Sequence, residues 1–301
     1  LLIKNNYQMS LNKDLTIIFV SYYSKNIIEK PISQISKEIP IIVVENSKDK
    51  KLKSQLEKKY PNVKVLIPNH NTGNGGGINI GLNEVKSKFA LYLDVDVEIL
   101  NQTIEILYNY AIKLDNFSIL APKIKNLEYK KEYFLEKNFL PKVHSMNFIT
   151  GCALLLNMKA LNSIGYFDNN IFLYYEENDI YLRSLKKNFK IFLVEESEIK
   201  HLGNYSSDLI NKDEIEINRN WHLMWSTFYF HKKHFGVIKA YQKTIFKLFS
   251  AILKFIFYTL LRKNIQKNIY RARISGIFNA MTGKSSWFRT NIDNIIDNSK
   301  Q

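Results

Sequence analysis

The first hundred residues alternate between short apolar runs and amphipathic stretches, and few folds accommodate that order. LTIIFVS at Leu15–Ser21 is β-branched and apolar, as a strand covered on both faces of a parallel sheet must be. A helical stretch separates it from IIVV at Ile41–Val44. The pattern then predicts a helix over Lys50–Lys59, a strand over Val63–Ile67 and, after a glycine-rich segment and a helix, a fourth strand, FALYL, over Phe89–Leu93. Such repetition predicts α/β units on a mostly parallel central sheet with helices on both faces. The apolar runs close on polar residues, at Ser21-Tyr22, Glu45-Asn46, Asn69–Asn74 and Asp94–Asp96. Ligands of open α/β sheets bind beyond the carboxyl ends of the strands, so these endings are read together as one candidate site.

Farther along, Phe148–Asn157 (FITGCALLLN) and Ile191–Val194 read as buried strands, with helical spacing over Asn178–Lys187 between them and a strand-like run at Glu198–Lys200. From about Asn218 the pattern becomes helical and basic. The expected organisation is an N-terminal tail (1–14), a catalytic domain (15–217) and a C-terminal helical region (218–301).

Asp94 and Asp96 follow the fourth strand one residue apart. Alternate residues of an extended chain point the same way, so both carboxylates are expected to face one divalent cation. A cation there could bridge the phosphates of a nucleotide sugar and neutralise charge on the departing diphosphate. Two solvated turn carboxylates are the plainer reading of the same tripeptide. NTGNGGGINIG at 71–81 supplies glycines that permit positive φ and close approach of backbone to a ligand, or simply a flexible loop. It is no dinucleotide fingerprint, because Ile78 occupies the third glycine position, and no Gly-Lys-Ser/Thr follows as in a phosphate loop. Glu176, Glu177 and Asp179 follow an aromatic run; a carboxylate desolvated by aromatics has a raised pKa suited to a general base, whereas acids at a helix start also favour its dipole. His201 offers an imidazole that would complement two carboxylates around Mn²⁺ or a similar ion.

Taken in order, VSYYS (20–24), VVENSKD (43–49), NTGNGGGINIG (71–81), LYLDVDVEI (91–99), FITGCALLLN (148–157), IGYFDNNIFLYYEENDIYLR (164–183) and HLGNYSS (201–207) resemble the family 2 glycosyltransferases of the GT-A fold. The likeness is to the rhamnosyltransferase-like members that build bacterial surface polysaccharides, and it covers roughly residues 15 to 240. It implies a nucleotide-sugar site of Ser21, Tyr22, Glu45, Asn71, Gly73, Gly77, Asn79 and Asp94, and a divalent metal, Mn²⁺ or Mg²⁺, on Asp94, Asp96 and His201. Glu177 matches the second acid of the family's paired-acid motif and would deprotonate the acceptor hydroxyl, with Glu176 or Asp179 able to share or replace that role. The implied reaction is a single displacement with inversion, from a UDP- or dTDP-sugar to a glycan or lipid-linked saccharide of lipopolysaccharide, O-antigen or capsule. The sequence departs from the family's usual pattern in having Glu45 for Asp, Asn74 for an apolar residue and Asp94 for Asn. The rival readings are a sugar-1-phosphate nucleotidyltransferase, which could share the sheet and the Asp pair, and a nucleic-acid-binding protein that uses its basic end.

Charge is where composition enters. Of the net +15, fourteen Lys and Arg fall between Ile217 and Ile292, where no Asp or Glu occurs, so the rest of the chain is nearly neutral. Lys239, Lys243, Lys247, Ser250, Lys254, Tyr258 and Arg262 recur at helical steps, beside Phe246, Leu248, Phe249, Ile252, Leu253, Phe255, Ile256, Phe257 and Leu260. A helix with such faces suits an anionic membrane surface better than nucleic acid. Trp221, Trp225, His231 and His234, at its start, are expected near the acceptor. One cysteine, Cys152, excludes an internal disulfide and a cysteine-built zinc site. With no secretory signal in LLIKNNYQMSLNKD and no spanning stretch, the expectation is a cytoplasmic protein at the inner face of the membrane.

Overall fold

The computed structural model describes residues 9–100, 102–203 and 212–290, with backbone alone for 136–140. These residues divide into two compact units. The first holds 9–71, 77–167 and 180–203; the second holds 72–76, 168–179 and the chain from 212 onward.

The first unit is built on one sheet. Its strands are β1 (Leu15–Ser21), β2 (Ile41–Glu45), β3 (Val63–Leu66), β4 (Phe89–Leu93), β5 (Val97–Ile99), β6 (Phe117–Ile124), β7 (Phe134–Leu140), β8 (Val143–Met146), β9 (Ala153–Asn157) and β10 (Lys190–His201). They lie in the order β3-β2-β1-β4-β9-β6-β10-β8-β7, with β5 paired to β10. Pairing is parallel through β3, β2, β1 and β4 and turns antiparallel at β9. Alternation sends Leu15, Ile17 and Phe19 into one apolar layer and Ile18 into the other. Both layers are closed by helices, which is why the strands read as unbroken apolar runs. Here lie α1 (Glu29–Ser33), α2 (Lys50–Lys59), α4 (Thr103–Ala111) and α5 (Met158–Ile164), while α3 (Gly73–Leu82) and α6 (Glu176–Lys186) contribute to both units. Asp49 starts α2 by accepting from Lys51 N and Leu52 N at 2.8 and 2.9 Å.

Three expectations change. The expected tail is helical over 9–14 and buries Leu11, while residues 1–8 lie outside the described residues. The strand expected at Phe148–Asn157 begins only at Ala153, because the Gly151-Cys152 pair makes a turn. The runs at Ile191–Val194 and Glu198–Lys200 are one long strand, β10, whose register against β6 shifts between Val194 and Glu198.

The glycine-rich segment is a helix, and its glycines serve packing. A Cβ on Gly77 would lie 2.7 Å from Val20 Cγ1, and one on Gly81 2.7 Å from Ile18 Cγ2, so one glycine face of α3 rests directly on β1.

In the second unit α7 (Lys212–Phe235), α8 (Val237–Leu260) and α9 (Asn264–Met281) pack together. Their core includes Trp221, Trp225, Phe228, Ala240, Ala272 and Ala280. A Cβ on Gly276 would lie 2.3 Å from Trp221 O, so α9 meets α7 at backbone distance. The indoles are fully engaged in this core: Trp221 Nε1 donates to Ser275 Oγ at 3.1 Å, and Trp225 Nε1 to Lys284 O at 3.0 Å. They are therefore not acceptor-contacting residues. His231 Nδ1 is bonded to Thr227 O of its own helix. His222 is buried, and burial, with Arg289 adding to it, pushes its pKa down to about 3.

Seating α3 on β1 leaves no room for a branched side chain. Gly81→Val is expected to lower Tm by roughly 4–10 °C through overpacking, read by thermal circular dichroism.

Candidate active site

β1, β2 and β4 run the same way, and Phe19 pairs with both Val43 and Leu93. Their carboxyl ends therefore reach one edge of the sheet, carrying Ser21, Glu45 and Asp94. Past β4 the chain does not stay extended. Val97 N donates to Asp94 O at 3.3 Å, and Asp94-Val95-Asp96 folds into a turn. The two carboxylates thus converge by a turn, where the sequence pattern had suggested strand alternation. β5 then pairs antiparallel with β10, His201 opposite Val97, and Leu202 N donates to Asp96 O at 3.1 Å.

That pairing brings His201 Nε2 to 3.6 Å from Asp94 Oδ2 and 3.3 Å from Asp96 Oδ1. Single ligand atoms of Asp94, Asp96 and His201 all lie within 4.8 Å of one another. Asp96 is buried, and its Oδ1, met by His201 Nε2 at ion-pair distance, sits where a buried carboxylate oxygen needs positive charge. Hydrogen bonding to Asp96, opposed by burial and aided by both carboxylates, raises the His201 pKa. The cluster thus attracts positive charge. Two carboxylates and an imidazole are a donor set that fits Mn²⁺ or Mg²⁺ chemistry. Tyr92, buried beneath, donates its hydroxyl to Asp94 Oδ1 and orients that carboxylate. The sequence reading missed Tyr92; its place two residues before Asp94, on the same side of a strand, was the available signal.

Ser21 and Glu45 face each other across β1 and β2, both fully buried. Glu45 Oε1 accepts from Ser47 N and Oγ. Ser21 Oγ lies close enough to the Glu45 carboxylate to interact with it, though neither Ser21 Oγ nor Glu45 Oε2 makes a well-formed hydrogen bond among the described residues. Burial raises the Glu45 pKa, with Ser21 and Ser47 pulling against it. Two such atoms at a sheet edge suit the polar rim of a heterocycle. Tyr22 follows on, half-buried, its ring edge-on to Tyr23 at 4.8 Å. Asn71 is buried. Asn79 is otherwise occupied: its amide donates to Phe167 O at 2.8 Å and accepts from Phe167 N at 2.9 Å, so it ties down the loop after α5.

In the second unit Gly73 sits at φ +75°, and a Cβ there would lie 2.1 Å from Phe172 O. No other residue fits that start to α3. Asn74 N donates to Phe172 O at 3.1 Å, and Asn74 Nδ2 to Glu176 Oε1 at 3.2 Å. Arg289 lies 3.7 Å over the Phe172 ring, a cation–π contact with no sequence signature. The three acids occupy different surroundings. Asp179 is fully buried and accepts from Lys233 Nζ and from His234 Nε2 at 2.8 Å. Lys233 also reaches Asp168 Oδ2 at 2.7 Å; burial opposes ionisation of Asp168, but Lys233, Asn170 N and Tyr229 outweigh it and lower its pKa. Glu176 is buried beside Asn74. Desolvation raises the Glu177 pKa, with its own backbone N–H pulling against it. Asp179 is thus held by Lys233 and His234, whereas a carboxylate with a raised pKa, as Glu177 has, suits proton acceptance. His234 belongs to the Asp179 clamp. Of the HLGNYSS stretch, residues 204–207 lie outside the described residues.

With this geometry established, comparison with known proteins becomes decisive. Residues 16–165 match glycosyl transferase family 2, a span that includes Ser21, Glu45, Asp94 and Asp96. The chain belongs to glycosyl transferase family 2. This family 2 chain is 28% identical over 204 residues to the low-salt glycan biosynthesis hexosyltransferase Agl10 of Haloferax volcanii, covering 61% of the chain and 66%, just under two thirds, of that relative. It is 25% identical over 328 residues to an uncharacterised glycosyltransferase of Rickettsia typhi, covering 96% and 99% of the two chains. The fold is that of the mannosyltransferase PcManGT from Pyrobaculum calidifontis, solved with GDP-Man and Mn²⁺: TM-score 0.56, 11% identity, 94% of each chain covered. It is also that of GalNAc-T7, solved with UDP, GalNAc and Mn²⁺: TM-score 0.52, 13% identity, 69% of this chain and 50% of that one. The GT-A architecture expected from the motifs is the observed one.

Two predictions separate the clusters. Asp96→Asn should abolish Mn²⁺ binding, followed by electron paramagnetic resonance, with little change in Tm. Asp179→Asn should leave Mn²⁺ binding intact and destabilise the fold by about 3 kcal/mol, the usual cost of breaking a buried ion pair, read by chemical denaturation.

Proposed function

We propose that the protein is an inverting, metal-dependent glycosyltransferase that moves a sugar from a UDP- or dTDP-sugar to a hydroxyl of a glycan or lipid-linked saccharide. The observation that carries this reading is the convergence of Asp94, Asp96 and His201 at the carboxyl edge of a parallel sheet, with Asp96 buried. The GT-A likeness and the family membership support it. In this reading Asp94, Asp96 and His201 hold Mn²⁺ or Mg²⁺, which when bound supplies charge neutralisation for the leaving diphosphate. Ser21 and Glu45 hold the base through their buried oxygens, and Tyr22 packs beside it. Glu177 accepts the proton of the attacking acceptor hydroxyl, and the single displacement inverts the anomeric centre.

The hexosyltransferase Agl10 takes part in glycan biosynthesis, as its name states, and supports a hexosyl transfer here. The motif order supports a place in lipopolysaccharide, O-antigen or capsule assembly, at the inner face of the cytoplasmic membrane, where a lipid-linked acceptor would be held.

Calorimetry with UDP, dTDP, GDP and CMP, with and without Mn²⁺, tests the donor half. Binding of UDP or dTDP that needs metal and disappears in Asp96→Asn is expected. No binding of any of the four would overturn the reading, and pyrophosphate release from a nucleoside triphosphate and a sugar 1-phosphate would replace it with nucleotidyl transfer. Glu177→Gln should lower kcat by about 10²–10⁴-fold while leaving nucleotide affinity unchanged. A base works only when ionised, so activity should fall as pH drops through the raised Glu177 pKa. The acid limb of kcat/KM should therefore lie above the ordinary carboxylate range and vanish in Glu177→Gln.

A further inference from the structure

α8 carries three distinct faces. Ala240, Thr244, Leu248 and Ala251 are buried in the second unit's core. A second face, Phe246, Phe249, Leu253, Ile256, Phe257 and Leu260, stands in solvent, each residue between 49% and 80% exposed. These positions recur at steps of three and four and form a stripe about 21 Å long at 1.5 Å per residue. The third face carries the exposed Lys239, Lys243 and Lys254 along one flank of that stripe. At the corner before α9 the exposed Leu261, Arg262 and Lys263 continue both characters. Folding has therefore divided the apolar residues of α8: Leu248 goes inward, while most of the aromatic ones remain outside.

We propose that this stripe and the α8–α9 corner dock on an anionic phospholipid bilayer, with α8 lying in the plane of the interface. This deepens the membrane-surface part of the proposed function and rests on no catalytic residue. No helix of the described residues is long and apolar enough to cross a membrane, so a one-sided stripe suits partial immersion. The apolar side chains enter the acyl boundary while the lysines reach outward to headgroup phosphates. Charge decides between occupants. A second copy placed face to face would set lysine against lysine, with no acid between Ile217 and Ile292 to neutralise them. A nucleic acid would satisfy the lysines but leave six large apolar side chains in water.

The test is co-sedimentation of the full chain with vesicles of phosphatidylcholine alone and of phosphatidylcholine with 30% phosphatidylglycerol. The wild type should bind the anionic vesicles at least tenfold more tightly than the neutral ones. Phe249→Ser/Leu253→Ser/Phe257→Ser and Lys239→Gln/Lys243→Gln should each weaken that binding at least tenfold, with unchanged Tm because the positions are exposed. Wild-type indifference to anionic lipid, or undiminished binding by the serine variant, overturns the proposal. So does a wild-type dimer that the serine variant converts to monomer without any lipid binding in either. Tight DNA binding, by fluorescence anisotropy, lost only in the lysine variant would also replace it. Metal-dependent nucleotide binding should persist in both variants, so failure at the lipid surface and failure of the transferase reading are separately visible.

Discussion

β1 is paired in parallel on both sides, with β2 and with β4, and the positions of the candidate donor residues follow from that register. A one-residue slip would turn every side chain to the opposite face, so the apolar layers above and below hold it fast. The ends of the three strands then fall together, and Ser21, Glu45 and Asp94 share an edge without being neighbours in sequence. Gly77 and Gly81 make the same strand the seat of α3 at a distance only a missing Cβ allows. β1 thus fixes both the sheet edge and the helix that the glycine-rich segment forms.

Charge sets the second constraint. Bringing Asp94 and Asp96 together would be unfavourable without a counter-charge, and the antiparallel pairing of β5 with β10 delivers His201 to that place. The second unit solves a related problem in another way. There Asp168 and Asp179 are paired through Lys233, with His234 on Asp179, and these contacts hold α7. Glu177, nearby in sequence, receives no such partner and is left with a raised pKa. Three acids in four residues are thereby separated into one clamped, one hydrogen-bonded to Asn74 and one whose pKa desolvation raises.

The legible parts of the fold were those where local pattern and burial agree. Leu15–Ser21 and Phe89–Leu93 are apolar because both their faces are covered, and they were read to the residue. Phe148–Cys152 was read as part of the strand that follows it yet turns at Gly151-Cys152, since its buried apolar residues report burial and not conformation. The glycines at 77 and 81 looked like a ligand cradle, because a glycine in sequence does not say whether strand or ligand approaches it. Trp221 and Trp225 were placed near an acceptor for lying at the junction with the basic helical region, but their N–H groups are spent inside the helical core.

The sequence by itself determined the strand–helix alternation, the polar endings of the strands, the Asp-x-Asp and acid-rich motifs, and the confinement of positive charge to the last quarter of the chain. These are local properties, carried by composition and spacing. Only the tertiary structure decided that Asp94 and Asp96 meet His201 through a turn, that Asp179 is locked by Lys233 and His234, and which apolar residues of α8 stay in solvent. Each of those outcomes depends on a partner brought from a distant part of the chain. Such partners are chosen by packing and charge in three dimensions, which no window of sequence contains.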